Sequence, residues 1–181
     1  MTELKTPFDK NILKNLKIGD AVSISGVIYT ARDAAHERMV KEFNEGKGFP
    51  FEIEGQTVYY AGPCPAKPGE IIGSCGPTTA GRMDSFTPLL LDNGLAAMIG
   101  KGARNNEVRE AVIRNKAVYF GVTGGAGALI SECIKNVEVI CYDDLGTEAI
   151  RKLLVENLPA VVLMDSTGED LYKKGREEFK A

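Results

Sequence analysis

The sequence has no tryptophan, a single histidine, and no apolar run approaching the length of about eighteen residues that a membrane-spanning helix needs. Its opening segment, MTELKTPFDK, lacks the apolar stretch of a secretory leader, so a cytoplasmic location is expected. The net charge of −3 gives no overall attraction to nucleic acid or to an anionic membrane, and neither is expected as a partner. An anionic ligand must therefore be caught by a local cluster of cations.

Cysteine is sparse and badly spaced for metal. Cys64, Cys75, Cys133 and Cys141 are separated by 11, 58 and 8 positions, with no CxxC pair and no nearby histidine. They are expected to be small buried apolar residues rather than disulfides or ligands, and the chain itself is expected to bind no metal. A nucleotide site is also disfavoured. Gly124-Gly125-Ala126-Gly127 follows a strand pattern, but the last glycine of GxGxxG would fall on Ile130, and no Walker Gly-Lys-Ser/Thr occurs. That turn either permits close strand-to-helix packing or lines a carboxylate pocket with its amides.

What is present is enough for a core: 181 residues, 44% of them apolar, expected to form one domain over 1–181. Strand, loop and helix patterns alternate along the chain, which points to an α/β fold with a mixed sheet and helices. Asp9 to Leu16 reads as a short amphipathic piece, Ala21 to Thr30 as a strand, and Asp33 to Phe43 as a helix, with Ala35, Met39, Val40 and Phe43 on one face. Arg32 then sits at a strand-to-helix junction. Residues 57–62 read as a strand and the prolines at 63, 65 and 68 as a loop. Thr78 and Thr79 are placed to cap a helix running toward Leu91 and stopping at Gly94, with the amides of 78–81 facing an anion.

Further strands are expected at 96–99, 117–122, 137–142 and 161–164, and helices at 105–115 and 128–134. Residues 148–158 fit either a helix or a strand entering a hairpin at Pro159, and the strand is preferred. Asp165 to Gly168 reads as a turn, and the charged end as a solvated helix or frayed tail.

Three cations stand at loop positions where a core-facing helix has no use for charge: Arg32, Arg82 and Lys101. Singly, each reads as a surface charge. Together beyond the strand ends of an α/β protein, they suit a small dicarboxylate, gripped by two guanidinium forks and one ammonium. His36 follows Arg32 by four residues, and serves either as a structural hydrogen-bonder or as an acid/base group.

Two stretches carry more specific information. Thr30-Ala31-Arg32-Asp33-Ala34-Ala35-His36 and Gly76-Pro77-Thr78-Thr79-Ala80-Gly81-Arg82-Met83-Asp84 closely resemble the carboxy-terminal region of class I fumarases and the beta subunit of L-tartrate dehydratase. The likeness extends to Gly62-Pro63, Ile99-Gly100-Lys101-Gly102 and the glycine-rich turn near 124. It implies a swivelling β/β/α domain that closes over substrate, with a [4Fe–4S] cluster held by a separate alpha subunit in a heterotetramer. It also implies that Arg32, Arg82 and Lys101 bind substrate and that Thr78 removes a proton from carbon, with His36, Thr79 and Asp84 as candidate supporting residues. Capping a helix is the rival role for Thr78. The implied reaction is reversible hydration of fumarate to L-malate, with L-tartrate dehydration or a non-catalytic anion-binding module as alternatives.

Overall fold

A computed structural model describes residues 1–122 and 127–178. In chain order its elements are β1 (Thr2–Lys5), α1 (Lys10–Leu13), β2 (Ala21–Thr30), α2 (Asp33–Asn44), β3 (Thr57–Tyr59), a 3₁₀ turn (Ala80–Met83) and α3 (Thr87–Asp92). There follow β4 (Ala97–Gly100), α4 (Asn106–Asn115), β5 (Val118–Gly121), α5 (Gly127–Glu132), β6 (Ile134–Cys141), a second 3₁₀ turn (Asp143–Glu148), β7 (Ile150–Met164) and α6 (Leu171–Glu178).

The strands form one mixed sheet in the order β1-β2-β3-β4-β5-β7-β6. β1 through β5 pair in parallel, and β7 runs antiparallel to β5, β6 and β2. Because β7 pairs with both β2 and β5, the strands β2-β3-β4-β5-β7 close into a ring. Strand alternation sends successive side chains to opposite faces. Tyr59, Ala97, Ile99, Val118 and Phe120 join one apolar cluster with Phe8, Ile24 and Leu158. Val58, Tyr60, Met98 and Tyr119 face the other way and pack with Met39, Leu90, Leu91, Val108 and Val112 from α2, α3 and α4. Each fully buried Leu or Ile contributes about 1.5–3 kcal/mol by leaving water. No helix among the described residues is long and apolar enough to cross a membrane.

Three local expectations are corrected. The break expected at Pro159 does not occur: β7 is one fifteen-residue strand through that proline. Its irregularity is a bulge, where Ile24 and Gly26 of β2 face Leu158 and Val155, and Asn157 takes a φ of 53°. Pro159 itself lies just beyond the bulge, in register with Ser23 of β2. The single helix expected from Thr78 to Leu91 is instead the 3₁₀ turn followed by α3, interrupted at 84–86. Asp84 turns inward there to accept from Arg104 Nε at 2.6 Å and from the Asn105 amide at 2.8 Å. A further strand, β1, pairs Thr2–Lys5 with Val22–Ser25 where no element was expected.

Candidate active site

The parallel strands β2, β3 and β4 end on the same rim, and the sequence just beyond each end supplies the polar residues. The Ala31 amide donates to Tyr59 O at 3.1 Å, the Tyr60 amide to Ile99 O at 2.8 Å, and the Thr78 amide to Tyr60 O at 2.7 Å. The Ala80 amide donates to Lys101 O at 2.8 Å, and Thr79 bridges Lys101 in parallel. Segment 77–80 is thus laid between the extensions of β3 and β4. This backbone ladder brings Thr78 and Lys101 onto the rim that carries Arg32. Since the amides of Thr78 and Ala80 are committed to carbonyls, the expected anion cradle of amides 78–81 is half consumed.

Arg32 is the residue before the first turn of α2, with an extended backbone. Its Nη2 lies 3.4 Å from Glu148 Oε1, while its Nε is buried with no hydrogen-bond partner among the described residues. Glu148 Oε2 accepts from the Ala34 amide at 2.9 Å, capping a free N–H of α2. Asp33 stands 4.0 Å from Arg32 Nε and pairs through its other oxygen with Arg82 Nη2. Arg82, Asp33, Arg32 and Glu148 therefore form a continuous chain of alternating charge. With Lys101, exposed and in no ion pair among the described residues, three cations face two carboxylates and leave one net positive charge.

Gly62 makes room for this arrangement. A Cβ there would lie 2.8 Å from Arg32 Cδ, 2.9 Å from Nη1 and 3.2 Å from Thr147 O.

Thr78 is half-buried, and its hydroxyl has no hydrogen-bond partner among the described residues. Thr79 precedes the 3₁₀ turn but makes no side-chain cap, and it is exposed. His36 is fully buried; its Nδ1–H donates to Arg32 O at 2.8 Å and its Nε2 is unpartnered among the described residues. Burial drives its pKa from 6.5 down to about 4, so the ring is neutral. It sits edge-on to Tyr60, with ring centroids 5.5 Å apart.

Asp84 is withdrawn from the rim into a buried pair with Arg104, whose Nη2 also donates to Thr87 Oγ1 at 2.8 Å and whose guanidinium lies over the rings of Tyr60 and Tyr119. Its place is structural: it anchors the segment that carries Thr78 and Arg82.

Recesses of about 680 Å³ and 430 Å³ around Cys64 to Gly73 are not lined by Thr78, Arg82 or Lys101, while a smaller one of about 250 Å³ takes in Lys101 with Gly121, Val161 and Tyr172.

With this geometry in place, comparison with known proteins gives a clear result. Residues 1–175 match the family described as Fumarase C-terminus. This chain belongs to that family. It is 38% identical to the aerobic class I fumarate hydratase of Escherichia coli K12 over 170 residues, covering 91% of this chain and 31% of that enzyme. It is 36% identical to fumarate hydratase 2 of Leishmania major, covering 95% of this chain and again 31% of the relative. A putative L(+)-tartrate dehydratase subunit beta of Methanocaldococcus jannaschii is 34% identical, with 91% of this chain and 88% of the relative covered. The chain thus spans less than a third of the fumarate hydratases and most of the beta subunit. Those names are of enzymes that add or remove water, so the family to which this chain belongs includes hydro-lyases.

An iron–sulfur cluster does not fit the described residues of this chain. Cys75 is buried with its thiol pKa pushed up to about 12, Cys64 is exposed, and no group of three potential ligands gathers among the described residues. The glycine turn singled out in the sequence falls mostly on residues 123–126, outside the described residues.

Sequence reasoning missed Asp33, Glu148 and Gly62 as parts of the site, and Arg104 as the partner that holds Asp84. Asp33 lies inside a quoted motif and Gly62 in a stretch to which the likeness extends, which was a signal. Glu148 carries none, because its partner is 114 positions away.

Proposed function

We propose that this chain is the small, beta subunit of a hydro-lyase that reversibly hydrates fumarate to L-malate in the cytoplasm, working in a heterotetramer with a larger alpha subunit that holds a [4Fe–4S] cluster. The observation that carries this reading is the buried, unpartnered Arg32 Nε on the rim that also carries Arg82, Lys101 and the half-buried Thr78. A free donor beside an alternating charge chain suits a doubly charged ligand.

In this reading the guanidinium groups of Arg32 and Arg82 hold the two carboxylates of the diacid, and Lys101 adds a third cation. In the direction of water loss, Thr78 Oγ takes the proton from one carbon. The C–H electron pair becomes the new double bond as the C–O bond on the neighbouring carbon breaks and hydroxide leaves, and the proton held by Thr78 then joins that hydroxide as water, restoring the base. Hydration returns the proton from Thr78 to carbon. An alcohol is a weak base, so the deprotonated form needs nearby positive charge; Lys101, bridged to the adjacent Thr79, supplies it. Fixing both carboxylates also sets which face of the diacid meets Thr78.

L-Tartrate is the second substrate to test, because the relative matched over most of its length is named as a tartrate dehydratase subunit. The deciding experiment is anaerobic hydration of fumarate and dehydration of L-tartrate by the chain alone and mixed with a cluster-loaded large subunit. Activity confined to the mixture is expected, with Thr78→Ala abolishing turnover while leaving the fold intact. Near-normal turnover by Thr78→Ala withdraws the base assignment. Diacid binding without any turnover by the assembled wild type favours an anion-binding module instead.

A further inference from the structure

We infer that Glu148 is a positioning residue for Arg32, a role that rests on the hydro-lyase reading only for its catalytic consequence. The carboxylate of Glu148 does two things at once. Oε1 lies 3.4 Å from Arg32 Nη2, and Oε2 accepts from the Ala34 amide at 2.9 Å. One side chain therefore ties the guanidinium to the first turn of the helix that follows it. Arg32 has four rotatable bonds before its planar fork, and ordering such a chain ahead of binding removes an entropic penalty from substrate capture.

The segment that carries Glu148 is itself held. Arg151 donates from Nη1 to Thr147 O and Ala149 O, both at 3.1 Å, and from Nη2 to Gly146 O at 2.8 Å. Arg38 makes a two-pronged contact with Asp144 at 2.6 and 2.7 Å, and Tyr142 donates to Glu42, so the turn is fastened to α2 at two further points. Thr147 O also closes the space beside Gly62 where the Arg32 side chain runs. A turn needed only to connect β6 to β7 has no need of this many fasteners. Glu148 presents its charge toward the rim, and both it and Arg32 are about three-quarters shielded, with side-chain exposures of 22% and 23%.

A plain helix cap predicts a different outcome from a positioning carboxylate, and Glu148→Gln separates them. The amide oxygen of Gln still accepts from Ala34, but the neutral NH₂ group cannot attract a guanidinium. The first measurement uses the chain itself: the guanidinium nitrogen resonances of Arg32, assigned by their loss in Arg32→Lys. Hindered rotation is expected in the wild type and fast rotation in Glu148→Gln, with melting temperatures within about 2 °C of each other. Free rotation already in the wild type, or the same rate in both proteins, overturns the inference. If Glu148→Gln does not fold, the wild-type rotation rate alone decides.

The second measurement uses the complex assembled with the cluster-bearing subunit. KM for fumarate is expected to rise about tenfold in Glu148→Gln, with kcat nearly unchanged. An unchanged KM leaves Glu148 as a cap only, and a lower KM makes it a competitor for Arg32; both overturn the catalytic part. A wild-type complex inactive on every C4 diacid removes the hydro-lyase reading, while the resonances still decide whether Glu148 orders Arg32.

Discussion

Arg82 leaves its 3₁₀ turn to pair with Asp33, the first residue of α2, so the two quoted motifs meet through one ion pair. Arg82 is half exposed, so the pair adds at most about 1 kcal/mol to stability. Its value lies in orientation. Asp33 engages one nitrogen of Arg82 and leaves the rest of the fork for a ligand. Asp33→Asn is expected to leave the melting temperature nearly unchanged and to raise KM for the diacid about fivefold in the assembled complex. A melting shift without a KM change assigns Asp33 to the fold alone.

Gly62→Ala probes the same arginine from the other side. The new methyl meets the flexible side chain of Arg32 first, so the side chain moves rather than the backbone. Stability is expected to fall by roughly 1 kcal/mol, within the range of mild overpacking, while substrate affinity falls about tenfold. Thermal melting and steady-state kinetics on one preparation check both halves of the expectation.

His36 gives the fold a pH dependence of definite sign. The unfolded chain takes up a proton near pH 6.5 and the native chain only near pH 4, because burial opposes the charged ring. Between those values the unfolded state holds more protons, so stability falls as pH is lowered through that window. The stabilisation is complete above pH 6.5, and the loss amounts to roughly 3 kcal/mol by pH 4. His36→Asn, which keeps a donor toward Arg32 O but does not titrate, is expected to flatten this part of the profile. Urea unfolding at pH 7, 6, 5 and 4 for both proteins measures it, and parallel profiles would show that other groups are responsible.

Asp84 and Arg104 form a pair that is buried on the arginine side. Removing one partner strands a charge, which in buried pairs costs about 3–5 kcal/mol. Asp84→Asn is expected to sit near the lower end, since Thr87 and the Tyr60 and Tyr119 rings still surround the guanidinium. Arg104→Lys is expected to lose a similar amount, because an ammonium cannot reach Asp84 and Thr87 together. Equilibrium denaturation of the two variants tests this, and a change below about 1 kcal/mol in both would sink it.

Legibility in the sequence followed how local each feature is. β2, Arg32 and α2 were readable because a two-residue period gives way to a 3.6-residue period within a few positions, and Arg32 lies at the change. The position of Lys101 after β4 was readable for the same reason. β7 was ambiguous because its outward positions carry Arg151, Lys152 and Glu156, and Pro159 imitates a hairpin signal. Its continuity is decided by β2, about 120–140 positions earlier, which pairs with β7 on both sides of the bulge in β7. The inward turn of Asp84 was not readable, because nothing nearby in sequence announces that Arg104, twenty positions on, will pair with it. The motif resemblance singled out Thr78, Arg82 and Lys101, but the ion pairs of the two arginines came only from the fold.

The closed ring also bears on how the chain is made. β2 is synthesised about 120–140 positions ahead of its antiparallel neighbour β7, which spans Ile150–Met164. Until that stretch emerges, β2 and β5 each present an unpaired edge of the kind that recruits other chains. The ring therefore stays unsealed while the stretch between β2 and β7 is made, so a nascent-chain chaperone that shields strand edges is expected to raise the soluble yield of this protein more than one that shelters helices.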